Sequence, residues 1–235
     1  MLELQNISKI FRTDTVETHA LKGLNLSIGA GEFVAVMGPS GSGKTTFLNV
    51  AGLLEEFDAG EYRLDGADVS QLNDAQRSRI RNEKIGFVFQ GFNLIPDLNI
   101  YDNVDVPLRY RGMTGAERHT RINAALERVG LTTRMKHVPA QLSGGQQQRV
   151  AIARALTGEP RVILADEPTG NLDTEMSAQI MELLEAINDA GTTIVMVTHN
   201  PALATRAHRQ LRIVDGKLSE SNGGAGAGAA RAGAA

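Results

Sequence analysis

The segment "EFVAVMGPSGSGKTTFLNVAGLL", residues 32–54, constrains the fold more than any other part of the chain. It opens on a short β-branched apolar run, passes through a loop holding Gly38, Gly41 and Gly43, and resumes as an apolar helical pattern. A strand covered on both faces reads as a continuous apolar run, so residues 32–38 predict a buried strand of a parallel sheet. Gly38, Gly43, Lys44 and Thr45 satisfy the spacing G-x-x-x-x-G-K-[ST]. Glycines there let backbone N–H groups turn inward, and the helix start adds the positive end of its dipole. The loop Gly38, Pro39, Ser40, Gly41, Ser42, Gly43, Lys44, Thr45 and Thr46 is therefore expected to hold nucleotide phosphates. Lys44 is expected to reach the outer phosphates and Thr45 to offer its hydroxyl to Mg²⁺. Such a loop alone does not name a reaction, since kinases, GTPases, motors and transport ATPases all use one.

The rest of the chain fits an α/β fold. "LELQNI" at the start and "LNLSI", residues 24–28, alternate as half-buried strands do. Asp65-Gly66 inside "YRLDGADV" is a hairpin signal, and "KIGFVFQ", 84–90, is another strand. The early part thus reads as β-rich, with antiparallel features beside a parallel core. From about Ile100 to Leu156 the pattern turns helical; Ile122, Ala125, Leu126 and Val129 recur at helical spacing, with Gly130 as the C′ residue. "RVILADE", "DTEMSAQIMELLEAINDAG" and "TTIVMVTH" then read as strand, helix and strand, and "RQLRIVDGKLSE" as a closing hairpin. Strands alternating with helices predict parallel pairing through right-handed crossovers. The expected organisation is a core of 1–92 and 158–222, a helical subdomain over about 93–157, and a flexible Gly/Ala-rich tail at 223–235.

Composition narrows the function classes. With 235 residues, 42% hydrophobic and 22% charged, the chain can bury a sizeable core. A formal net charge of −3 gives no basis for a nucleic-acid partner. There is no cysteine, so disulfides and thiolate metal sites are excluded. "MLELQNISKIF" lacks the basic start and apolar run of a signal peptide, and no stretch approaches the ~18 apolar residues of a membrane span. The expectation is a soluble chain that meets a membrane only through a partner or a surface contact.

Two further motifs add chemistry. "VILADEP", 162–168, is an apolar strand ending in adjacent carboxylates. Asp166 at the strand tip suits an Mg²⁺ contact, and Glu167 is placed to orient or deprotonate a water. Taken alone, the pair fits a solvated strand end equally well. "LSGGQQQRVAIARAL", 142–156, runs Ser143, Gly144 and Gly145 into a helix. A hydroxyl, bare N–H groups and a helix start aimed at one spot form an anion site, yet no lysine accompanies it.

The combination resembles the ATP-binding cassette (ABC) ATPases over residues 1 to about 220. "LSGGQ" is similar to the family signature, Gln90 after "FVF" to the Q-loop, "NLD" at 171–173 to the D-loop, and His199 to the switch histidine. The resemblance implies a P-loop NTPase (RecA-like) core with an N-terminal antiparallel β subdomain and an inserted α-helical subdomain. It implies ATP and Mg²⁺ as ligands, with Thr45, Gln90 and Asp166 at the metal. Lys44, Gln90, Glu167 and His199 take the catalytic roles, and Phe11 offers its face to adenine. Ser143, Gly144, Gly145 and Gln146 meet the γ-phosphate bound to a second copy of the chain, and Asp173 bridges the copies near the partner's P-loop. Asn200 stands where the family often has an acidic residue. "FQGFNLIPDLNIYDNVDVPLRYRGM", 89–113, resembles the group serving MacB-type exporters and LolD-type lipoprotein release. That group implies an integral-membrane permease partner on the cytoplasmic face of the inner membrane, docking near Phe92, Leu94, Ile95, Pro96 and Leu98 with Arg109 and Arg111 nearby. An FtsE-like ATPase that signals without transport, and a soluble non-transport ABC ATPase, are the alternatives. The former is poorly separated by sequence; the latter usually carries two cassettes, long coiled-coil inserts or zinc-binding cysteines.

Overall fold

The computed structural model describes residues 1–220. Strands β1 (Leu2–Arg12) and β2 (Glu17–Ile28) pair antiparallel. Their alternation buries Leu2, Leu4 and Ile7 of one and Leu24, Leu26 and Ile28 of the other. β3 (Phe33–Met37) buries Phe33 to Val36 completely and feeds the glycine loop that opens α1 (Lys44–Ala51). β4 (Ala59–Leu64) and β5 (Ala67–Asp68) join through Asp65 and Gly66, whose φ values of 53° and 78° suit the tight hairpin turn. α2 (Asp74–Lys84) then leads directly into β6 (Ile85–Phe89).

Three helices follow: α3 (Ile100–Arg109), α4 (Gly115–Arg128) and α5 (Gly144–Leu156). Asn99 and Thr114 cap the first two through their side chains, and Gly130 at φ 70° ends α4. The chain closes with β7 (Val162–Asp166), α6 (Thr174–Asp189), β8 (Thr193–Val197), the one-turn α7 (Pro201–Ala204), β9 (Arg209–Val214) and β10 (Lys217–Glu220).

The strands form two sheets. One is antiparallel, in the order β2-β1-β4-β5; the other runs β10-β9-β3-β8-β7-β6 and is parallel except for β10. Successive side chains of a strand face opposite ways, so each parallel strand serves two cores. Val34, Val36, Leu164 and Val195 join the core shared with the antiparallel sheet and α1. Phe33, Ala35, Ile163 and Met196 join the core beneath α3, α4, α5 and α6. The chain thus has an α/β P-loop fold. Because β3, β6, β7 and β8 run parallel in one sheet, the loops after them emerge along one edge. That edge is where open α/β sheets bind ligands.

α2 is absent from the sequence-based expectation. None of its residues is buried, so it has no apolar stripe to find. Its signal is local: Asn73 and Gln76 form a reciprocal capping box, with Asp74 in the first turn and Arg81 and Lys84 in the last. β2 also begins at Glu17, well before the alternating "LNLSI". The Gly/Ala-rich segment expected as a tail lies outside the described residues. No helix among the described residues is long and apolar enough to cross a membrane.

Candidate active site

Gly38 and Gly43 are glycines for steric reasons. A Cβ on Gly38 would lie 2.1 Å from the carbonyl oxygen of Ile213 and 2.7 Å from Ser42 Oγ. Gly43 holds φ at 103°, and a Cβ there would lie 2.4 Å from the oxygen of Ala20. Gly216 N donates to Ser42 O, so the closing hairpin clasps the loop from outside. The loop is poised around an unfilled need for acceptors. Gly43 gives α1 no side-chain cap, so the first N–H groups of that helix have no side-chain acceptor. Ser42 is buried and its Oγ has no hydrogen-bond partner. Lys44 Nζ folds back and donates to the carbonyls of Gly38 and Pro39 at 2.9 and 2.8 Å. Thr45 is exposed and Thr46 half-buried at the start of α1.

Asp166 and Glu167 stand at the tip of β7. Burial, and then the charge of Glu167, push the Asp166 carboxyl above the ordinary carboxylate range, while Lys44 pulls the other way. A divalent cation beside Asp166 would relieve that penalty. Glu167 has φ 45°, a left-handed backbone that a non-glycine residue adopts only where its surroundings enforce it. Its N–H donates to Val197 O and its carbonyl accepts from Gly170 N, each at 3.0 Å. This kink turns the side chain toward β8, where His199 Nδ1 lies 2.7 Å from Glu167 Oε1. The carboxylate is mostly covered and the imidazole mostly exposed.

Gln90 follows β6 on the same edge. Its Nε2 donates to Asn171 Oδ1 at 3.2 Å, and Asn171 Nδ2 donates back to Gln90 O at 3.0 Å. Gly170 makes room for this clamp, since a Cβ there would sit 2.6 Å from Gln90 Nε2. Phe11 pairs with Thr18 of β2, the strand whose Ala20 abuts Gly43, and its ring is 41% exposed. Lys9 Nζ lies 5.1 Å from the ring centroid.

The second glycine-rich start is built differently. Ser143 Oγ accepts from Gln146 N at 3.3 Å, and Gln146 Oε1 accepts from Ser143 N at 3.1 Å. Gly144 lies against Leu172, and a Cβ on Gly145 would come within 2.7 Å of Met176 Sδ. Asp173 caps α6 by accepting from Met176 N at 2.8 Å. Gln148, buried on α5, donates to Pro168 O at 2.5 Å. The structure therefore gathers Lys44, Gln90, Asp166, Glu167 and His199 around one sheet edge, while Phe11 stands on β1 of the antiparallel sheet. It places Ser143, Gly144, Gly145, Gln146 and Asp173 in a second group, linked to the first through residues 168–172. α1 packs on β2, β7 and β8, whereas α5 packs on β6, α3, α4 and α6.

Three residues gain a role that sequence reasoning had not assigned. Asn171 clamps Gln90, and Gln148 ties the signature helix to the loop after Glu167. Asn200 caps α7 by accepting from Ala202 N and Leu203 N, which accounts for an amide beside His199. Only the cap had a local signal, Asn-Pro before a short apolar run.

The residues present fit a polyphosphate and a divalent cation. Unpaired donors and one lysine face the loop, and Asp166 stands beside it. Among the described residues no cluster of three His, Cys, Asp or Glu could hold a metal unaided. A cation here needs oxygens from the ligand itself, as Mg²⁺ with nucleotide does.

Known proteins resemble this chain in sequence and fold. A family model described as ABC transporter matches residues 21–170. The macrolide export ATP-binding/permease protein MacB of Marinobacter nauticus is 48% identical over 223 residues, covering 95% of this chain and 35% of that one. The ABC transporter ATP-binding protein YknY of Bacillus subtilis is 47% identical over 224 residues, covering 95% and 97%. A dimeric post-hydrolysis structure of the ATP-binding cassette MJ0796 bound to ADP and Pi is 44% identical, with a TM-score of 0.85 over 95% of this chain and all of that one. The chain thus spans about 35% of the MacB relative and nearly all of YknY. By its motifs, its fold and these likenesses, the chain belongs to the ABC transporter family, as an ATP-hydrolysing nucleotide-binding subunit of MacB type.

Proposed function

We propose that two copies of the chain close head to tail around two Mg·ATP and drive an integral-membrane permease of the MacB/LolD type, in export or lipoprotein release. The observation that carries this reading is the separation of two anion-ready helix starts on different parts of one chain. The α1 start cradles the phosphates of its own ATP, with Lys44 exchanging its two carbonyl partners for the outer phosphate oxygens. Ser143, Gly144, Gly145 and Gln146 approach the γ-phosphate held by the other copy, and Asp173 bridges the copies beside that P-loop. Thr45, Asp166 and Gln90 would hold Mg²⁺, which supplies charge neutralisation at the transferring phosphoryl group. Glu167, fixed by His199, accepts the proton of the attacking water, and His199 presents its free nitrogen to the γ-phosphate. Phe11 lays its ring against adenine, a contact worth ~1–3 kcal/mol for stacked bases.

The permease meets the segment after Gln90 and places the chain at the cytoplasmic face of the membrane. Ile95 there is exposed, while Leu94 packs on the core. Arg109 is held by Asp102 and Asp105 on its own helix, so it offers a partner little. Glu167→Gln keeps the shape and removes the base, so it should trap the ATP-bound dimer. Gel filtration with light scattering checks this in Mg·ATP. A variant that binds ATP yet stays monomeric counts against the sandwich.

A further inference from the structure

Two Asp-Gly hairpin turns of this chain share a backbone conformation and differ in what they touch. Asp65 and Gly66 join β4 to β5 with φ values of 53° and 78°. Asp215 and Gly216 join β9 to β10 with φ values of 49° and 77°. Both are left-handed at each central position, the turn that an Asp-Gly pair favours. A Cβ on Gly66 would meet nothing within 4 Å. A Cβ on Gly216 would sit 2.7 Å from Ala20 O and 3.3 Å from His19 O, both on β2. The turn conformation accounts for each glycine, but only Gly216 is also pressed against a neighbouring backbone.

Gly216 is held from two sides. Its carbonyl accepts from Lys22 N of β2 at 2.9 Å, and its N–H donates to Ser42 O of the glycine loop at 3.0 Å. The same hairpin reaches the other end of that loop, since Ile213 O is the atom a Cβ on Gly38 would strike. The bond to Ser42 O has a consequence for the next amide. A trans peptide is planar, and its C=O and N–H point in opposite directions. With Ser42 C=O turned to the hairpin, the N–H of Gly43 in the same peptide unit points away from it. Gly43 O accepts from Phe47 N at 2.8 Å, which opens the ladder of α1. Among the described residues the Gly43 N–H meets no backbone acceptor. It is an unfilled donor at the helix start, aimed by a residue of the last hairpin.

We propose that Gly216 is a positioning residue of the phosphate loop: by holding Ser42 O, its N–H aims the Gly43 N–H at a phosphate of the bound nucleotide. The inference rests on the reading of the loop Gly38 to Thr46 as the phosphate cradle, and it adds the part that keeps one of the cradle's donors in line. A donor fixed before the ligand arrives need not be ordered when it binds, and that saving appears as affinity. With peptide 42–43 free to turn, each binding event would have to orient it again. The coupling is also mutual. A nucleotide that engages the Gly43 N–H must in turn hold the clasp at Gly216 closed.

The test sets the two turns against each other in the full chain, with Mg·ADP as the probe so that hydrolysis plays no part. Gly216→Ala and Gly66→Ala each force a side chain into the left-handed region, so both should lower Tm. Isothermal titration should show Mg·ADP binding weakened about tenfold in Gly216→Ala and changed within about twofold in Gly66→Ala. Amide exchange of the unsubstituted protein, followed by NMR, supplies a readout that a merely structural glycine would not move. Mg·ADP should slow exchange at Gly216 by about tenfold and leave Val69, whose N–H donates to Tyr62 O beside the first turn, within about twofold. An unchanged Kd in Gly216→Ala, equal weakening in the two variants, or equal slowing at Gly216 and Val69 overturns the proposal. If Gly216→Ala does not fold, the exchange comparison decides alone. Lys44→Ala separates this inference from the reading beneath it. If Lys44→Ala loses Mg·ADP affinity and Gly216→Ala keeps it, only the clasp fails. If both keep it, the reading of the loop as the phosphate cradle fails as well.

Discussion

Two helices of this chain begin at glycine-rich turns, and the two turns are finished differently. α1 starts from Gly43 with no side-chain cap, a buried Ser42 hydroxyl without a partner, and a lysine parked on two carbonyls. α5 starts from Ser143 with both arms of a capping box closed by Gln146. Its first intrahelical bond comes from Gln147, which leaves the N–H groups of Gly144 and Gly145 ahead of the ladder. The first turn is complete only with an anion; the second stands by itself and keeps a few donors to lend. A start that needs its ligand binds it. A start that does not can only recognise a ligand already held elsewhere.

Gly38→Ala tests the needy side with the largest expected effect. The added Cβ would sit 2.1 Å from Ile213 O, a backbone atom that cannot swing away, so the loop must open. ATP affinity should fall by on the order of 100-fold or more, read by isothermal titration. An unchanged Kd would break the comparison, because the cradle would then not depend on its shape.

Asp166→Asn comes next. Turnover in Mg·ATP should fall by about 100-fold, since the cation loses its protein carboxylate. Stability should move the other way. A carboxyl whose folded pKa is raised costs nothing below its ordinary range, and the penalty grows as pH rises through the raised value. Without nucleotide, Asn should therefore raise Tm by about 2 °C once the pH stands above that raised value, and the gain should vanish in acid. Equal Tm values at neutral pH would show that Asp166 is not strained by its surroundings.

Ser143→Arg addresses the lending side. The cap is lost and a long cation blocks the approach of another molecule, but nothing of the P-loop is touched. ATP affinity should stay within about twofold while turnover drops by about 100-fold, the scale for losing a donor to a charged transition state. Normal turnover in that variant would place the signature outside the reaction.

Both helix starts were legible in the sequence, the second through Ser143, Gly144 and Gly145 running into a helical pattern. An apolar run before G-x-x-x-x-G-K-[ST] fixes strand, loop and helix locally, and β3 and α1 lie where that pattern puts them. Parallel strands were legible for the same reason: Val162 to Ala165 and Thr193 to Val197 are buried on both faces. α2 was missed because its support is capping and charge with no burial. The left-handed Glu167 was invisible, because its N–H is held by Val197 O on a strand distant in sequence. The Asn171 clamp on Gln90 joins residues far apart in the chain, so no spacing announced it. Which site residues share one edge, and which stand apart, follows from strand order, and order is a property of the assembled sheet.

The smallest effect separates the two tasks of Ser143. Its oxygen accepts from Gln146 N, and its hydroxyl proton remains to be given away. Ser143→Ala removes both and should cost about 1 kcal/mol, or a fall of roughly 2–4 °C in Tm for a chain of this size. Ser143→Asn keeps a good cap, so Tm should hold. Its amide nevertheless puts an N–H₂ where the hydroxyl stood, longer and aimed elsewhere. Turnover should therefore fall by about tenfold in both variants, while stability falls in the alanine alone. If turnover instead tracked Tm, with asparagine wild-type in both, the hydroxyl would matter only as a cap. The second helix start would then differ from the first in being an ordinary one.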